Sequence, residues 1–481
     1  MKFTIKQASW LLVSLLSLVL LTIQGFSVKF DYFTPVLQRP TQLIVALMLI
    51  AGLIYLIIIK NILLKRITFN LVPLFIIGLL LRILFLQSTP VYEDDFYRYF
   101  FDGSLTSQGL NPYNYAPEDA LKRPSPERNN ILGLNNKAQP AHPELSFLAD
   151  QELIERVAYP HIRTIYPPVT QAIFTLSYSI EPFSLMVWRG LLILFEVISF
   201  MLMLKLLKCM NKPMIWSAIY WLNPLLITET INAGHMDALL VPVLLLTLLL
   251  ATKKNYSLAG LALAIAVGIK VWPVLLIPSL FRPLLLQPKK LLLTILPCCL
   301  TMVLVLLPQL LSYTNEQSGL MNYSQYWRTN SFIFGLLEDS LIYLEQSYAY
   351  YFGDPQQIAR FIVGGIISIL VIFQLKKNCE NTEQLTQYWL VIIVCLFFLS
   401  PTGYPWYFIW FLPLLTLKPN LPLLSLTMLL PLYDLRYPLA ELNKTELFND
   451  IIIPLQFIPP ILLLLHQWYK NKTKANINEM T

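Results

Sequence analysis

Apolar runs separated by short basic connectors make up most of the chain. A helix needs about 20 apolar residues to cross the hydrocarbon core of a bilayer, where every backbone polar group must be satisfied internally. Such runs lie near 8–26, 42–60, 69–88, 184–207, 214–231, 236–252, 257–284, 290–311, 358–376, 386–400, 404–417, 420–434 and 450–469. The pattern predicts an all-α polytopic membrane protein with about 12–14 transmembrane helices.

Three segments depart from a simple span. Residues 167–181 are apolar but too short to cross comfortably, which favours a re-entrant or interfacial helix. Lys270 and Pro273 interrupt the run 257–284, so we expect two short helices that meet at Lys270. The first run follows basic residues as a signal peptide would, but it lacks a small-residue cleavage site, and we interpret it as a retained first helix.

The basic connectors also predict orientation. Lys and Arg gather in loops near 60–66, 205–212, 253–254, 289–290, 376–377 and 470–474, which is typical of cytoplasmic loops. This bias predicts a single integral membrane domain over 1–481 with both ends in the cytoplasm. Residues 89–165 then form a large first extracytoplasmic loop, and residues 312–356 form a second one.

Composition supports a membrane protein and argues against other classes. The chain of 481 residues is 56% apolar and 13% charged, about half the charged fraction of a soluble domain. Its net charge of +7 comes from the connectors, so nucleic-acid binding is not expected. Its five cysteines include no CxxC pair, so neither a zinc site nor a disulfide framework is indicated.

Three consecutive carboxylates open the first polar loop, at Glu93, Asp94 and Asp95. Adjacent negative charges raise each other's pKa, and such a carboxylate suits a general base that acts on a hydroxyl group. The same three residues could instead share a divalent cation, Mg²⁺ or Mn²⁺, although nothing in the sequence requires a cofactor. The alternative without function is a solvated acidic helix end.

Ionisable residues at membrane depth are the second candidate group. His235 and Asp237 lie at a junction between two apolar runs, and Lys270 lies within a third. A buried ammonium needs an anion, and a lipid phosphate would supply one; the alternative is a side chain that extends to the interface. For Asp237 the alternative is a helix cap.

Further candidates lie near the outer face. Arg328 stands between aromatic residues, and Tyr404 and Trp406 mark a break in an apolar run, although aromatic residues at that depth are often interface anchors. We also expect structural ion pairs of Arg82 and Arg189 with Glu196.

Four stretches occur in an order that resembles a known superfamily. They are EDDFYRYFFDG with the later GLNPY and YPP, then YWLNPLLITETINAGHMDALL, GLALAIAVGIKVWPVLLIPSL and SPTGYPWYFIWFLP. Together they resemble the GT-C glycosyltransferases, and more narrowly the GPI mannosyltransferase I type and bacterial polyprenyl-phosphomannose-dependent mannosyltransferases. The resemblance implies a GT-C-like helical bundle whose catalytic carboxylate opens the first loop. The related enzymes carry Asp-x-Asp there, so the base is Asp94 or Asp95, and the alignment favours Asp94.

The resemblance implies the reaction as well. A hexose, with mannose favoured, would move with inversion from a polyprenyl-phosphate donor to a hydroxyl of a glycan or glycolipid acceptor on the extracytoplasmic face. Candidate partners of the departing phosphate are Arg98, His235, Lys270 and Arg328. Tyr99, Asp102 and Asn111 would line the sugar or acceptor pocket, with Glu93, Asp237, Tyr404 and Trp406 as further binding residues.

Alternatives remain open at this point. A bacterial inner membrane with the site facing the periplasm fits the composition, and an endoplasmic-reticulum enzyme of the same topology is the alternative. A transferase for another lipid-linked sugar is a rival within enzymes. A lipid or sugar transporter or flippase is the rival of another class, but we find one broken helix where transporters usually have a matching pair.

Overall fold

A computed structural model describes residues 5–67, 69–123, 139–140, 142–148, 152–312, 318–348, 353–376, 379 and 381–480. Helices make up nearly all of the regular structure in these ranges. Their only strand pairing joins Lys122–Arg123 to Gln139–Pro140, antiparallel and two residues long. The prediction of an all-α polytopic membrane protein is confirmed.

Seven of the described helices are long and apolar enough to cross a membrane. They are Ser9–Phe30, Thr41–Leu63, Leu185–Cys209, Pro288–Leu311, Pro355–Leu375, Thr382–Leu399 and Thr445–Thr473. An eighth span is possible if Pro224–Asn232 and Met236–Thr252 count as one, although these two helices are bent by 107° at the break between them.

The sequence pattern predicted about 12–14 spans, and the difference lies in segments that fold as short helices. Leu71–Phe85, Tyr256–Ile269 and Trp272–Leu284 fall below the length of a full span. The runs 404–417 and 420–434 each divide into pieces because prolines interrupt them. These pieces are Pro405–Trp410 and Leu412–Leu417, then Leu421–Leu424, Leu426–Leu429 and Leu430–Leu435, and Arg436–Glu441 follows.

Two local predictions agree with the observed helices. The short apolar stretch predicted at 167–181 forms the 13-residue helix Pro168–Ile180. Tyr256–Ile269 ends where Lys270 adopts an extended conformation, and a 3-10 helix, Trp272–Leu276, begins two residues later. The remaining helices of eight or more residues are Asp95–Ser107, Gly319–Tyr326 and Ile333–Tyr348.

The short helices Leu240–Thr252 and Leu412–Leu417 are more buried than the long helices. Only 11% of the apolar window of Pro288–Leu311 is buried, and 28% of that of Ser9–Phe30. In contrast, all six residues of Leu412–Leu417 are buried. Lipid is the natural solvent for the exposed apolar faces of the long helices, so the broken helices form the centre of the protein.

One predicted ion pair holds this centre together, and the other is wrong. Arg82 pairs with Glu196, and both side chains are fully buried. Arg189 instead donates its guanidinium hydrogen bonds to the carbonyl oxygens of Leu86 at 2.9 Å and Ser88 at 2.7 Å. The reason is that the carbonyls after Leu71–Phe85 lack helical partners and need a donor.

Asn232 also holds the turn that follows Leu71–Phe85. The Asn232 side-chain amide donates to the Thr89 carbonyl at 2.7 Å, and its oxygen accepts from the Val91 N–H at 3.0 Å. Asn232 ends the π-helical segment Thr228–Asn232 at the bend. Segment 88–91, which leads into the acidic motif, is therefore held against the helix break that carries His235.

Candidate active site

The acidic motif lies at the start of the helix Asp95–Ser107, and its three side chains differ in environment. Glu93 accepts a hydrogen bond from the backbone N–H of Asp95 at 3.0 Å. The Glu93 side chain is 10% exposed and that of Asp95 34% exposed, whereas Asp94 is an exposed residue. Glu93 and Asp95 therefore face the protein centre.

His235 brings the bent helix pair to this motif. Its Nε2 atom lies 3.2 Å from Glu93 Oε2 and 3.5 Å from Glu229 Oε2, and its Nδ1 atom lies 4.0 Å from Asp95 Oδ2. The ring is 1% exposed and stacks on Trp406 with a centroid distance of 3.8 Å. Gly234 adopts φ +81, a backbone conformation that glycine allows at this break.

Burial raises the pKa of all three carboxyl groups of the acidic motif, that of Asp94 included. Burial raises the pKa of Glu93 to about 7. Burial likewise raises the pKa of Asp95 to about 7, with the Glu93 charge adding to the rise and His235 opposing it. Such values are suited to groups that exchange protons near neutral pH.

Glu93, Asp95 and His235 also have the composition of a cation site. One ligand atom from each lies within 4.8 Å of the others. Two carboxylates with one imidazole suit Mn²⁺ better than Mg²⁺, which prefers oxygen ligands alone. The sequence had suggested Glu93, Asp94 and Asp95 for such an ion, whereas the described geometry replaces Asp94 with His235.

A second charged pair lies beside this cluster. Lys270 Nζ is 2.5 Å from Asp237 Oδ1, and the indole N–H of Trp410 donates to the same oxygen at 2.5 Å. The ammonium lies 4.6 Å from the ring centre of Tyr407 and 4.8 Å from that of Trp410. Asp237 is thus an ion-pair partner of Lys270, and its side chain does not cap a helix.

Aromatic residues support both groups. Tyr404 stacks on Trp406 at 4.2 Å, which places it behind the His235 ring. Tyr166 donates its hydroxyl hydrogen bond to Asp95 Oδ2 at 3.4 Å. Tyr99 is 2% exposed and packs edge-on against Tyr166 at 5.2 Å, so it supports the Tyr166 ring.

Three other predicted residues bond to protein groups near the first loop. Asp102 Oδ2 accepts from the Gln171 amide at 2.9 Å and from the Thr164 hydroxyl, while Oδ1 is buried without a partner. Arg98 donates to the carbonyl oxygen of Tyr159 at 3.0 Å. Asn111 caps a turn by accepting from the Tyr113 N–H at 3.1 Å. That Asn111 and Asp102 line a pocket stays a prediction.

Arg328 lies in a different charged cluster. Its guanidinium is 3.0 Å from Glu338 Oε2 and 3.7 Å from Asp339 Oδ1. These ion pairs neutralise it locally, so the geometry gives no support to Arg328 as a phosphate partner. Lys270 is the predicted cation that the structure does bring next to the acidic motif.

From the sequence, Glu229 was noticed beside His235 but was not included among the site residues, and Asp434 was missed. Glu229 lies 3.5 Å from His235, and Asp434 lines the same cavity as Glu93. Glu229 is visible in the sequence as an acid six residues before His235. Asp434 was hidden because the run 420–434 was interpreted as a membrane span, although its one acidic residue was a signal.

A comparison with protein families gives one match. Residues 161–284, about a quarter of the chain, match the N-terminal domain of a family described as alpha-(1->6)-mannopyranosyltransferase. The match confirms the prediction of a glycosyltransferase. Searches among curated proteins and among solved structures give no match.

The matched region has a structural meaning. It contains the bent helix pair with Glu229, His235 and Asp237, and the helix break at Lys270. Two of the four stretches that suggested a mannosyltransferase fall inside it. The acidic motif at 93–95 lies outside it, and only the folded chain brings that motif to His235.

Proposed function

We propose that the protein transfers mannose from a polyprenyl-phosphate donor to a hydroxyl group of a glycan or glycolipid acceptor, with inversion at the anomeric carbon. One observation carries this proposal: Glu93 and Asp95 meet His235, and the Lys270–Asp237 pair lies alongside, all at breaks between helices. A base beside a cation is what transfer from a phosphate leaving group requires. The family match supports mannose and an α-linked product.

Asp95 is the base in this proposal. It faces the cluster and accepts from Tyr166, whereas Asp94, which the sequence alignment favoured, is exposed. The Asp95 carboxylate takes the proton of the acceptor hydroxyl as that oxygen attacks the anomeric carbon. The bond from that carbon to the phosphate oxygen breaks, and the lipid phosphate leaves with the electron pair.

Lys270 is the proposed partner of the departing phosphate. Its side chain is 21% exposed, and its ammonium contacts Asp237 and two aromatic rings. Charge-assisted hydrogen bonds to a phosphate oxygen strengthen as negative charge develops there. His235, wedged between carboxylates, is better suited to hold these than to bind phosphate itself.

A divalent cation on Glu93, Asp95 and His235 is a further part of the proposal. The donor set fits Mn²⁺, and the ion would supply positive charge to the departing phosphate. The proposed location is a bacterial inner membrane with the site on the periplasmic face, as the basic connectors favour.

The test is sugar transfer by the purified protein in lipid nanodiscs. Radiolabelled polyprenyl-phosphate mannose and an alkyl α-mannoside are supplied, and the glucose-bearing donor serves as comparison. Mannose transfer that produces an α-linked disaccharide supports the proposal. Transfer of glucose but not of mannose would make glucose the donor sugar. Labelled donor that crosses the bilayer without being consumed would indicate a transporter.

A further inference from the structure

A chamber lies beside the Glu93–Asp95–His235 cluster and shares Glu93 with it. The cavity is bounded by Glu93, Glu229 and Asp434, by the rings of Trp406 and Tyr437, and by apolar side chains of the first two long helices. None of the described residues that line it carries a positive charge. Arg436 lies outside this lining, with its guanidinium 5.0 Å from the ring centre of Tyr433 and 5.1 Å from that of Tyr437. The groups that an anion would contact directly are therefore negative or neutral.

Three polar side chains at or beside the chamber lack hydrogen-bond donors or partners: Asp434, Glu229 and His235. The Asp434 carboxylate has no hydrogen-bond partner among the described residues, and the Glu229 carboxylate has only the His235 ring, at 3.5 Å. His235 itself is 1% exposed, and neither of its ring nitrogens has a hydrogen-bond partner in the described ranges. Buried polar groups are normally satisfied, so this arrangement points to a ligand that brings hydroxyl donors.

The aromatic walls are rigid. Tyr437 stacks on Tyr92 at 4.1 Å with an interplanar angle of 8°, and its hydroxyl donates to the Tyr92 carbonyl at 3.1 Å. Trp406 is fixed between Tyr404 at 4.2 Å and His235 at 3.8 Å. Fixed rings provide flat apolar surfaces for the C–H face of a pyranose without losing side-chain entropy on binding.

We infer that this chamber, which we call the Glu229–Asp434 chamber, binds the acceptor as a neutral saccharide end. Carboxylates would accept hydrogen bonds from its hydroxyl groups, and the aromatic and apolar walls would cover its ring. The inference rests on the proposed transfer, because it assigns the acceptor to one side of the Glu93–Asp95–His235 cluster and the lipid-phosphate donor to the Lys270 side. It further predicts discrimination against anionic acceptors.

The position of the chamber agrees with the chemistry. Glu93 lines the chamber and contacts His235, so a hydroxyl held there lies at the cluster that contains Asp95. An inverting displacement needs the acceptor and the leaving group on opposite faces of the anomeric carbon. Lys270 does not line the chamber, so the acceptor and the departing phosphate would occupy separate places at the cluster.

The experiment measures acceptor binding and transfer separately. Octyl α-mannoside is the neutral probe and octyl glucuronide the anionic probe, each titrated into the full-length protein in nanodiscs without donor. In Glu229→Gln and Asp434→Asn, the amide keeps the size of each side chain but removes the charge. Losing one hydrogen bond to a charged group should weaken octyl α-mannoside binding by about 10- to 100-fold. The KM for the donor should stay within about twofold of the native value.

Two further variants make the result specific. Glu383→Gln removes a surface carboxylate that pairs with Lys212 at 3.1 Å, and it should change neither binding nor transfer. Asp95→Asn should abolish transfer but keep octyl α-mannoside binding, because Asp95 does not line the chamber. Thermal unfolding of each variant identifies any that fails to fold. Tyr437→Leu, which removes the flat ring, then replaces it and should likewise weaken octyl α-mannoside binding.

The outcomes separate this inference from the proposed function. Native affinity for octyl α-mannoside in both chamber variants, or tighter binding of the glucuronide, overturns the chamber assignment even if transfer occurs. A rise in donor KM instead of acceptor KM overturns it as well. Mannoside binding that depends on Glu229 and Asp434, in a protein that transfers no sugar, upholds the chamber and rejects the transferase proposal.

Discussion

The Lys270–Asp237 pair allows a structural role to be separated from a chemical one. The Asp237 side chain is 2% exposed, and its carboxylate is held by the ammonium and by the Trp410 indole. Lys270→Met keeps the side-chain length and removes the charge. Asp237 is then left buried with one neutral donor.

The expected cost follows from burial. Removal of one partner from a buried ion pair costs about 3–5 kcal/mol, because the remaining charge is uncompensated. Lys270 is 21% exposed, so water compensates part of the loss and we expect about 3 kcal/mol. The double variant Lys270→Met with Asp237→Asn removes both charges, and it should recover most of that stability because a neutral amide can still accept from Trp410.

Activity should respond differently from stability. If Lys270 binds the departing phosphate, both Lys270→Met and the double variant lack that interaction, and transfer should fall by about 10²- to 10³-fold in each, the effect of removing one charge-stabilising donor. The measurements are unfolding in detergent by denaturant titration and initial rates of mannose transfer. Stability that returns in the double variant without activity is the expected result.

The refuting result is equally clear. A double variant that regains both stability and a near-native rate would show that Lys270 serves the fold alone. Asp237→Asn by itself is the matched control, since it leaves the ammonium with the rings of Tyr407 and Trp410 and should reduce transfer less than Lys270→Met does.

Three further predictions concern the acidic side of the site. Asp95→Asn should lower kcat by about 10²- to 10⁴-fold while Asp94→Asn stays within about threefold, and the reverse order would make Asp94 the base. Chelation should abolish transfer and Mn²⁺ restore it, with His235→Ala needing more Mn²⁺; transfer in chelator would exclude the ion. Burial raises the pKa of Asp102 from 3.8 to about 6, so its stabilising contribution is complete below pH 3.8 and is lost as pH rises through 6. That loss amounts to about 3 kcal/mol, and Asp102→Asn should flatten it in unfolding measured across this pH range.

Some of the site could be predicted because its signals are local. A lysine in an apolar run is costly wherever the run folds, and Pro273 beside Lys270 marks a helix break within a few residues. The acidic motif at 93–95 was equally visible. Neither signal depends on distant partners, so the sequence alone was enough to locate them.

The partners of these residues could not be predicted. Arg328 was a candidate for phosphate binding, but Glu338 and Asp339, one helix further along the chain, neutralise it. Asp434 lines the same cavity as Glu93 although more than 300 residues separate them in the sequence. Which charged groups meet is decided by helix packing across the whole bundle, and a linear pattern contains little of that information.

The shortfall in long helices and the position of the candidate site have the same physical origin. A broken helix leaves backbone N–H and C=O groups without partners, which is tolerated at membrane depth only where protein surrounds the break. The long helices supply that cover, and Arg189 and Asn232 satisfy carbonyls at the turn before the acidic motif. Polar side chains can then lie in the centre without contacting lipid. His235 and Lys270 each lie at such a break, and Glu93 lies just before the helix Asp95–Ser107. In this protein, therefore, the segments that reduce the span count also carry most of the buried polar site.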